Sequence, residues 1–170
     1  PMVIPINMAI FNSNGKIKEE EIYILKSCEE EILIKDLPKS NETPYLSIFR
    51  GLSAPVNWKI DLNIDDYIKA IELDDDPFLI WDASHILKKD FILSRSNTNI
   101  DSQNEDKFIV SLKQAIKKYK GSDLSFLAKM LSCPSLTELE TAQGVADPIC
   151  LYHSSLSFQA LMGKRLEIEL

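Results

Sequence analysis

At 170 residues the chain can bury one good core or two small ones. Its hydrophobic content of 45% and charged content of 26% are ordinary for a globular protein in water. A net charge of −7 argues against a nucleic-acid backbone or an anionic membrane as main partner, since both reward clustered Lys and Arg, and no apolar run approaches a bilayer span.

From residue 2 to 11 the even positions Met2, Ile4, Ile6, Met8 and Ile10 are apolar, the period of a half-buried strand. Pro5 pushes that strand towards an edge or bulged position. Asn14-Gly15 supplies a positive-φ hairpin turn. A second strand is expected around 21–26, with Ile22 and Ile24 on one face and Tyr23 and Leu25 on the other. A third is expected near 31–37, where Ile32 and Ile34 alternate with Leu33. The polar loop 38–44 precedes a fourth extended piece at 45–49. Gly51 and Pro55 interrupt it before a last strand at 56–62.

The period then becomes helical. Ile64, Tyr67, Ile68 and Ile71 share one face of a short helix capped by Asn63. Asp76-Pro77 starts the next: a carboxylate to accept orphan amides, then proline at the first helical position. That helix carries Phe78, Trp81, Leu87 and Phe91. Residues 94–106 read as a polar loop. Phe108, Ile109, Leu112, Ile116 and Tyr119 line a further helix ended by Gly121. Leu124, Leu127, Met130 and Leu131 make a short one that stops at Cys133-Pro134. Ser135 and Glu138 have capping-box spacing, and Asp147-Pro148 opens a final helix through Tyr152, Leu156 and Ala160. The basic residues Lys113, Lys117, Lys118 and Lys120 read as a solvated helix face.

The expected fold is α+β: a partial antiparallel β-sandwich, Ig-like, at 1–62, then an all-α segment of helical hairpins, solenoid-like, at 63–170. Roughly five strands are too few to close a sandwich, which needs about seven. Leu170 still lies in a helical pattern. Pro1, in a strand-like pattern almost at once, reads as a processing boundary, so both ends look cut. Cys28, Cys133 and Cys150 are odd in number and widely spaced, without a C-x-x-C pair. They read as reduced, semi-buried thiols of a cytoplasmic protein. No signal-peptide pattern opens the sequence.

The order and spacing of several pieces resemble bacterial-type aminopeptidase N over nearly the whole chain. The centre of the match is Phe49-Arg-Gly-Leu-Ser-Ala-Pro-Val56. Asp75-Asp-Pro-Phe78 with Trp81-Asp-Ala83 is similar to the family's aspartate-rich turn and tryptophan helix. Leu131 to Leu136 and Asp147-Pro148 fall where the family has a leucine-proline turn and an aspartate-proline helix start. Leu52 departs from the usual Phe, Ile80 from a frequent Arg, and His85 from Gln, which puts local polar contacts in doubt. The resemblance implies a zinc metallopeptidase that removes N-terminal residues from peptides. Its H-E-x-x-H helix and downstream glutamate hold zinc, and a G-A-M-E-N segment anchors the substrate amine. None of these motifs occurs in this sequence. The resemblance therefore implies no catalytic, metal or substrate-binding residue here, and zinc only in the full-length parent. The partner it implies is an upstream catalytic domain of the same polypeptide, with peptide substrate met only through that parent.

Few residues suggest chemistry of their own. His85 has Asp82 one turn before it, which favours a carboxylate–histidine contact over a metal site. His153 reads as a helix-surface or inter-helix residue. Ser84, His85 and Asp82 do not share the geometry of a triad, because sequence neighbours on a helix point apart. The run Asp74, Asp75, Asp76 lacks the alternating ligands and glycine of a calcium loop, and capping accounts for Asp76. Arg50, between Phe49 and Leu52, suits tying carbonyls or a carboxylate across two domains. Arg50, Trp81 and Asp76 are the expected inter-domain structural residues. The rival reading is a self-standing β-plus-helical module that docks a peptide or protein.

Overall fold

A computed structural model describes residues 3–35, 37–38, 43–144 and 147–169. The chain forms two compact units, Pro1–Ile80 and Trp81–Leu170.

The first unit is built on a three-stranded antiparallel sheet of order β2-β1-β3, from β1 (Ile4–Asn12), β2 (Gly15–Leu25) and β3 (Tyr45–Ile48). Ser13 and Asn14 make the hairpin loop, and the Asn12 side chain accepts the Asn14 amide at 2.9 Å. Gly15 follows at φ 113°, a conformation that glycine adopts without a Cβ penalty. β1 pairs with β2 along its whole length but with β3 only from Met8 to Phe11. The expected alternation ends there: register shifts on either side of Ile10 bulge the strand, and Met8, Ala9, Ile10 and Phe11 are all buried. The strand is thus bulged, and central rather than an edge over that half. Pro5 lies in the half with one partner strand, where Ser53 Oγ accepts the Asn7 amide and donates to the Pro5 carbonyl.

Two expected strands are not formed. Residues 31–35 and 56–62 carry no ladder, and Asp36 lies outside the described residues. Their alternation is nevertheless real: Ile32 and Ile34, then Val56, Trp58, Ile60 and Leu62, are half-buried between exposed neighbours. A period of two reports one-sided burial of extended chain, and hydrogen-bond pairing is a separate requirement. Met2 also lies outside the described residues.

Asn63 and Asp66 form a reciprocal capping box for α1 (Ile64–Leu73), whose Ile68, Ala70 and Ile71 are buried. Asp76 caps α2 (Pro77–Ser96), accepting the amides of Phe78 at 2.9 Å and Leu79 at 3.3 Å. α2 gives its first turn to this unit and the rest to the second.

The helical unit adds α3 (Ser102–Tyr119), α4 (Leu124–Leu131), α5 (Leu136–Gln143) and α6 (Pro148–Leu166). Phe91, Phe108 and Phe158 meet at its centre with ring centroids 5.5 to 6.5 Å apart. The expected loop 94–106 is mostly helix. α2 runs through Ser96 and Asp101 caps α3. The stretch reads as polar because its two inward residues are an ion pair, Arg95 Nη2 to Glu105 Oε2 at 2.6 Å. Ser135 and Glu138 make the expected capping box, and Asp147 caps α6. On α6 the buried stripe is Leu151, Ser154, Ser155, Phe158, Met162 and Leu166, while Tyr152 and Leu156 are exposed. Cys133 and Cys150 are half-buried and Cys28 is exposed, against the expectation of three semi-buried thiols.

Candidate functional site

β3 ends in a sharp reversal. Phe49, Gly51 and Leu52 all take left-handed φ, at 58°, 62° and 52°, around the 3-10 turn Arg50–Leu52. Left-handed backbone is ordinary for Gly51 and costly for Phe49 and Leu52, so surrounding contacts must hold the turn. Phe49 is anchored against Trp58, with centroids 5.3 Å apart.

The reversal turns Arg50 inward, where it is 4% exposed. Its Nη1 donates to Ser47 Oγ at 2.8 Å and to Asp74 Oδ1 at 2.5 Å, its Nε donates to Glu20 Oε1 at 3.0 Å, and its Nη2 donates to Asp75. The guanidinium lies 5.5 Å from the Phe11 ring centroid. Around it, Lys16 Nζ is 2.9 Å from Asp75 Oδ2, and Asn7 Nδ2 donates to Glu20 Oε2 at 3.0 Å. Asp74, wholly buried, also accepts the amides of Asp75 and Asp76. Asp76 Oδ2 accepts the Gly51 amide at 2.7 Å while its other oxygen caps α2. The structure thus brings Arg50 and Asp76 into one network, with Asp74, Asp75, Glu20 and Lys16, which the sequence reading did not single out for this role.

Burial works against the Arg50 charge, but Asp74 and the other carboxylates outweigh it and raise its pKa. The Asn7 amide, then Arg50, hold the Glu20 carboxyl below its ordinary 4.5. Burial opposes ionisation of Asp75, yet Lys16 and Arg50 prevail and lower its pKa. Burial and the neighbouring Asp74 push the Tyr45 hydroxyl up. Both lowered carboxylates contribute stability that is complete above their unfolded pKa values and lost as pH falls through the folded ones. An acid titration followed by circular dichroism should therefore lose stability below about pH 4.5. A Glu20→Gln, Asp75→Asn variant should have a flatter acid limb; an unaltered limb would remove these two groups from the account.

In the helical unit Trp81 stacks on His85 at 5.1 Å between centroids, and Lys129 Nζ sits 5.4 Å over the Trp81 ring. His85 Nε2 is 3.2 Å from Glu138 Oε1 on α5, so its hydrogen-bond partner is Glu138 rather than the expected Asp82. Ser84 Oγ donates to the Met130 carbonyl, which disposes of the triad. His153 lies on the exposed face of α6 beside Tyr152.

The group missed in the sequence is Lys88, fully buried on α2. Its Nζ donates to the carbonyls of Met130 at 2.5 Å and Ser132 at 2.7 Å, capping the C-terminal end of α4. Burial lowers its pKa to about 8. The available signal was its place in the stripe Ser84, Leu87, Lys88, Phe91 and Ile92, where every other member is small or apolar. Beside the same turn is a cavity of about 420 Å³ lined by Leu131, Cys133, Pro134, Met162 and Gly163 among others.

Among the described residues no group of three or more His, Cys, Asp or Glu side chains could hold a metal ion. The acid run 74–76 is engaged with Arg50 and backbone amides, and His85 with Glu138, so these residues do not fit zinc. No helix among the described residues is long and apolar enough to cross a membrane.

Residues 1–61 match a family model described as a domain of unknown function (DUF3458) with an Ig-like fold. Residues 64–170 match one described as a domain of unknown function (DUF3458_C) of ARM repeats. The chain is 30% identical over 146 residues to aminopeptidase N of Caulobacter vibrioides, a match that covers 85% of this chain and 16% of that protein. It is also similar to the crystal structure of Legionella pneumophila aminopeptidase A in complex with aspartic acid. There the TM-score is 0.78 and the identity 22%, over 98% of this chain and 19% of the other, a likeness of fold. The chain therefore belongs to the aminopeptidase N-associated family that joins an Ig-like DUF3458 domain to an ARM-repeat DUF3458_C domain.

Proposed function

We propose that this chain is a non-catalytic structural segment of a zinc-dependent, cytoplasmic aminopeptidase that removes N-terminal residues from peptides. The observation that carries the reading is the match to aminopeptidase N across 85% of this chain but only 16% of that protein. In this reading the sheet segment braces an upstream catalytic domain. The helices form part of the wall of a cavity that admits short peptides with a free amine, and zinc belongs to the catalytic domain alone. The change of domain is placed at residues 62–63. Arg50 and Asp76 tie the two sides of that change together, since Arg50 precedes it and its carboxylate partners Asp74 and Asp75 follow it. Trp81 braces the start of the helical side through His85 and Lys129.

The pure chain, supplied with zinc and an alanine chromogenic substrate, should release no chromophore. Metal-dependent release that a chelator abolishes would overturn the proposal. A self-standing docking module is the rival, and the reading frame upstream of Pro1 separates the two: an H-E-x-x-H helix there supports the peptidase segment.

A further inference from the structure

α6 is apolar on two sides. Leu151, Phe158, Met162 and Leu166 are buried in the helical unit, yet Ile149, Tyr152 and Leu156 are 69%, 48% and 44% exposed. Their spacing of three and four residues aligns them in one stripe, which Ala160 and Gly163 continue towards the C-terminal end. A helix with apolar residues on opposed faces is one packed between two layers.

Gly163 supplies an independent observation. It sits within α6, where glycine is a poorer helix former than alanine. A Cβ built there meets no atom within 4 Å, so nothing in this chain calls for the missing side chain. The space beside it is the cavity bounded by Cys133, Pro134 and Met162. A bare backbone beside an open apolar cavity suits close approach by something outside the described chain.

We propose that the stripe Ile149–Tyr152–Leu156 and the cavity at Gly163 form one docking surface for the next helical repeat of the same polypeptide. Its occupant is an amphipathic helix hairpin that lays an apolar ridge on the stripe and inserts a side chain at Gly163. ARM-type repeats bury their apolar faces only against neighbouring repeats, so a terminal repeat shows such a face until its neighbour is present. The inference rests on the reading of this chain as a segment of a longer peptidase.

Hydroxyl-radical footprinting of the polypeptide at its natural length tests it without any substitution. Tyr152 oxidation should fall to the level of buried Phe158 there, while in the 170-residue chain Tyr152 stays reactive. Gly163→Leu should lower the thermal midpoint of the longer polypeptide, whereas Gly163→Ala should raise that of the 170-residue chain by a few degrees. Equal Tyr152 reactivity in both would overturn the docking surface and leave the segment reading intact. A natural polypeptide with no helical repeat after this chain would overturn the segment reading itself. A dimer of the 170-residue chain that Leu156→Glu dissolves would make a second copy the occupant, and overturn the proposal too.

Discussion

Arg50→Ala is expected to destabilise the sheet unit by about 3–5 kcal/mol, read as a shift of its denaturant midpoint. The size follows from what the substitution leaves behind. Asp74 has no exposure to solvent, and without the guanidinium its charge keeps only two backbone amides and the Tyr45 hydroxyl. The strained reversal at Phe49–Leu52 loses the side chain that closes it, so cleavage by a broad-specificity protease should appear near Gly51. Arg50→Lys should recover less than half of the loss, because one ammonium cannot serve Ser47, Glu20, Asp74 and Asp75 at once. By contrast, a joint Arg50→Met, Asp74→Leu replacement should lie closer to the wild type than either single truncation. Burial of the pair is itself expensive, and most of the single-mutant loss is the stranded partner. A loss under about 1 kcal/mol, with no new cleavage, would assign Arg50 the weight of a surface pair instead.

The second large effect is at Lys88. Lys88→Ala should destabilise the helical unit by about 2–5 kcal/mol through the emptied volume of the stem, together with two carbonyls left without a donor. Lys88→Met fills the volume and should lose only the capping part, about 1–3 kcal/mol. The pH dependence separates the charge from the packing. The folded pKa is lowered from 10.5 to about 8, so between those values the unfolded chain binds more protons than the folded one. Wild-type stability should therefore rise with pH across that window, by on the order of 3 kcal/mol relative to Lys88→Met. The comparison must be between the two proteins, since Tyr45, with a raised pKa, has the opposite alkaline slope. Parallel curves for wild type and Lys88→Met would mean that the ammonium is not the titrating group.

Much of this architecture was legible because capping chemistry is local. Asn63 with Asp66, Asp76 before Pro77, Ser135 with Glu138 and Asp147 before Pro148 each mark a helix start within a residue, and each bond is present. The failures share a different cause: a property that depends on partners distant in sequence. Whether 31–35 or 56–62 joins a sheet depends on another strand's free edge, which side-chain periodicity does not encode. The loop expected at 94–106 hid a helix because Glu105 is neutralised by Arg95, ten positions away on another helix. Arg50 was legible as a residue out of place between apolar neighbours, but the identity of its partners was not. Asp74 and Asp75 read as spare acids until β3 and the start of α2 were brought side by side. Lys88 escaped because an isolated lysine in an apolar stripe reads as a solvated end on a buried stem. Its actual acceptors are the carbonyls of a helix that begins 36 positions later.

The hairpin of the sheet unit carries a further consequence. β2 lies at the outside of the three-stranded order, and its residues 16–21 read Lys-Ile-Lys-Glu-Glu-Glu. Charge at that density repels a second flat strand, whereas the same strand ends in Ile22 and Ile24, both exposed. The hairpin is thus guarded against chain-to-chain pairing at its turn and open to it at its base. During synthesis and refolding, colloidal trouble should begin at that base, and charge placed at Ile22 would extend the guard along the whole edge.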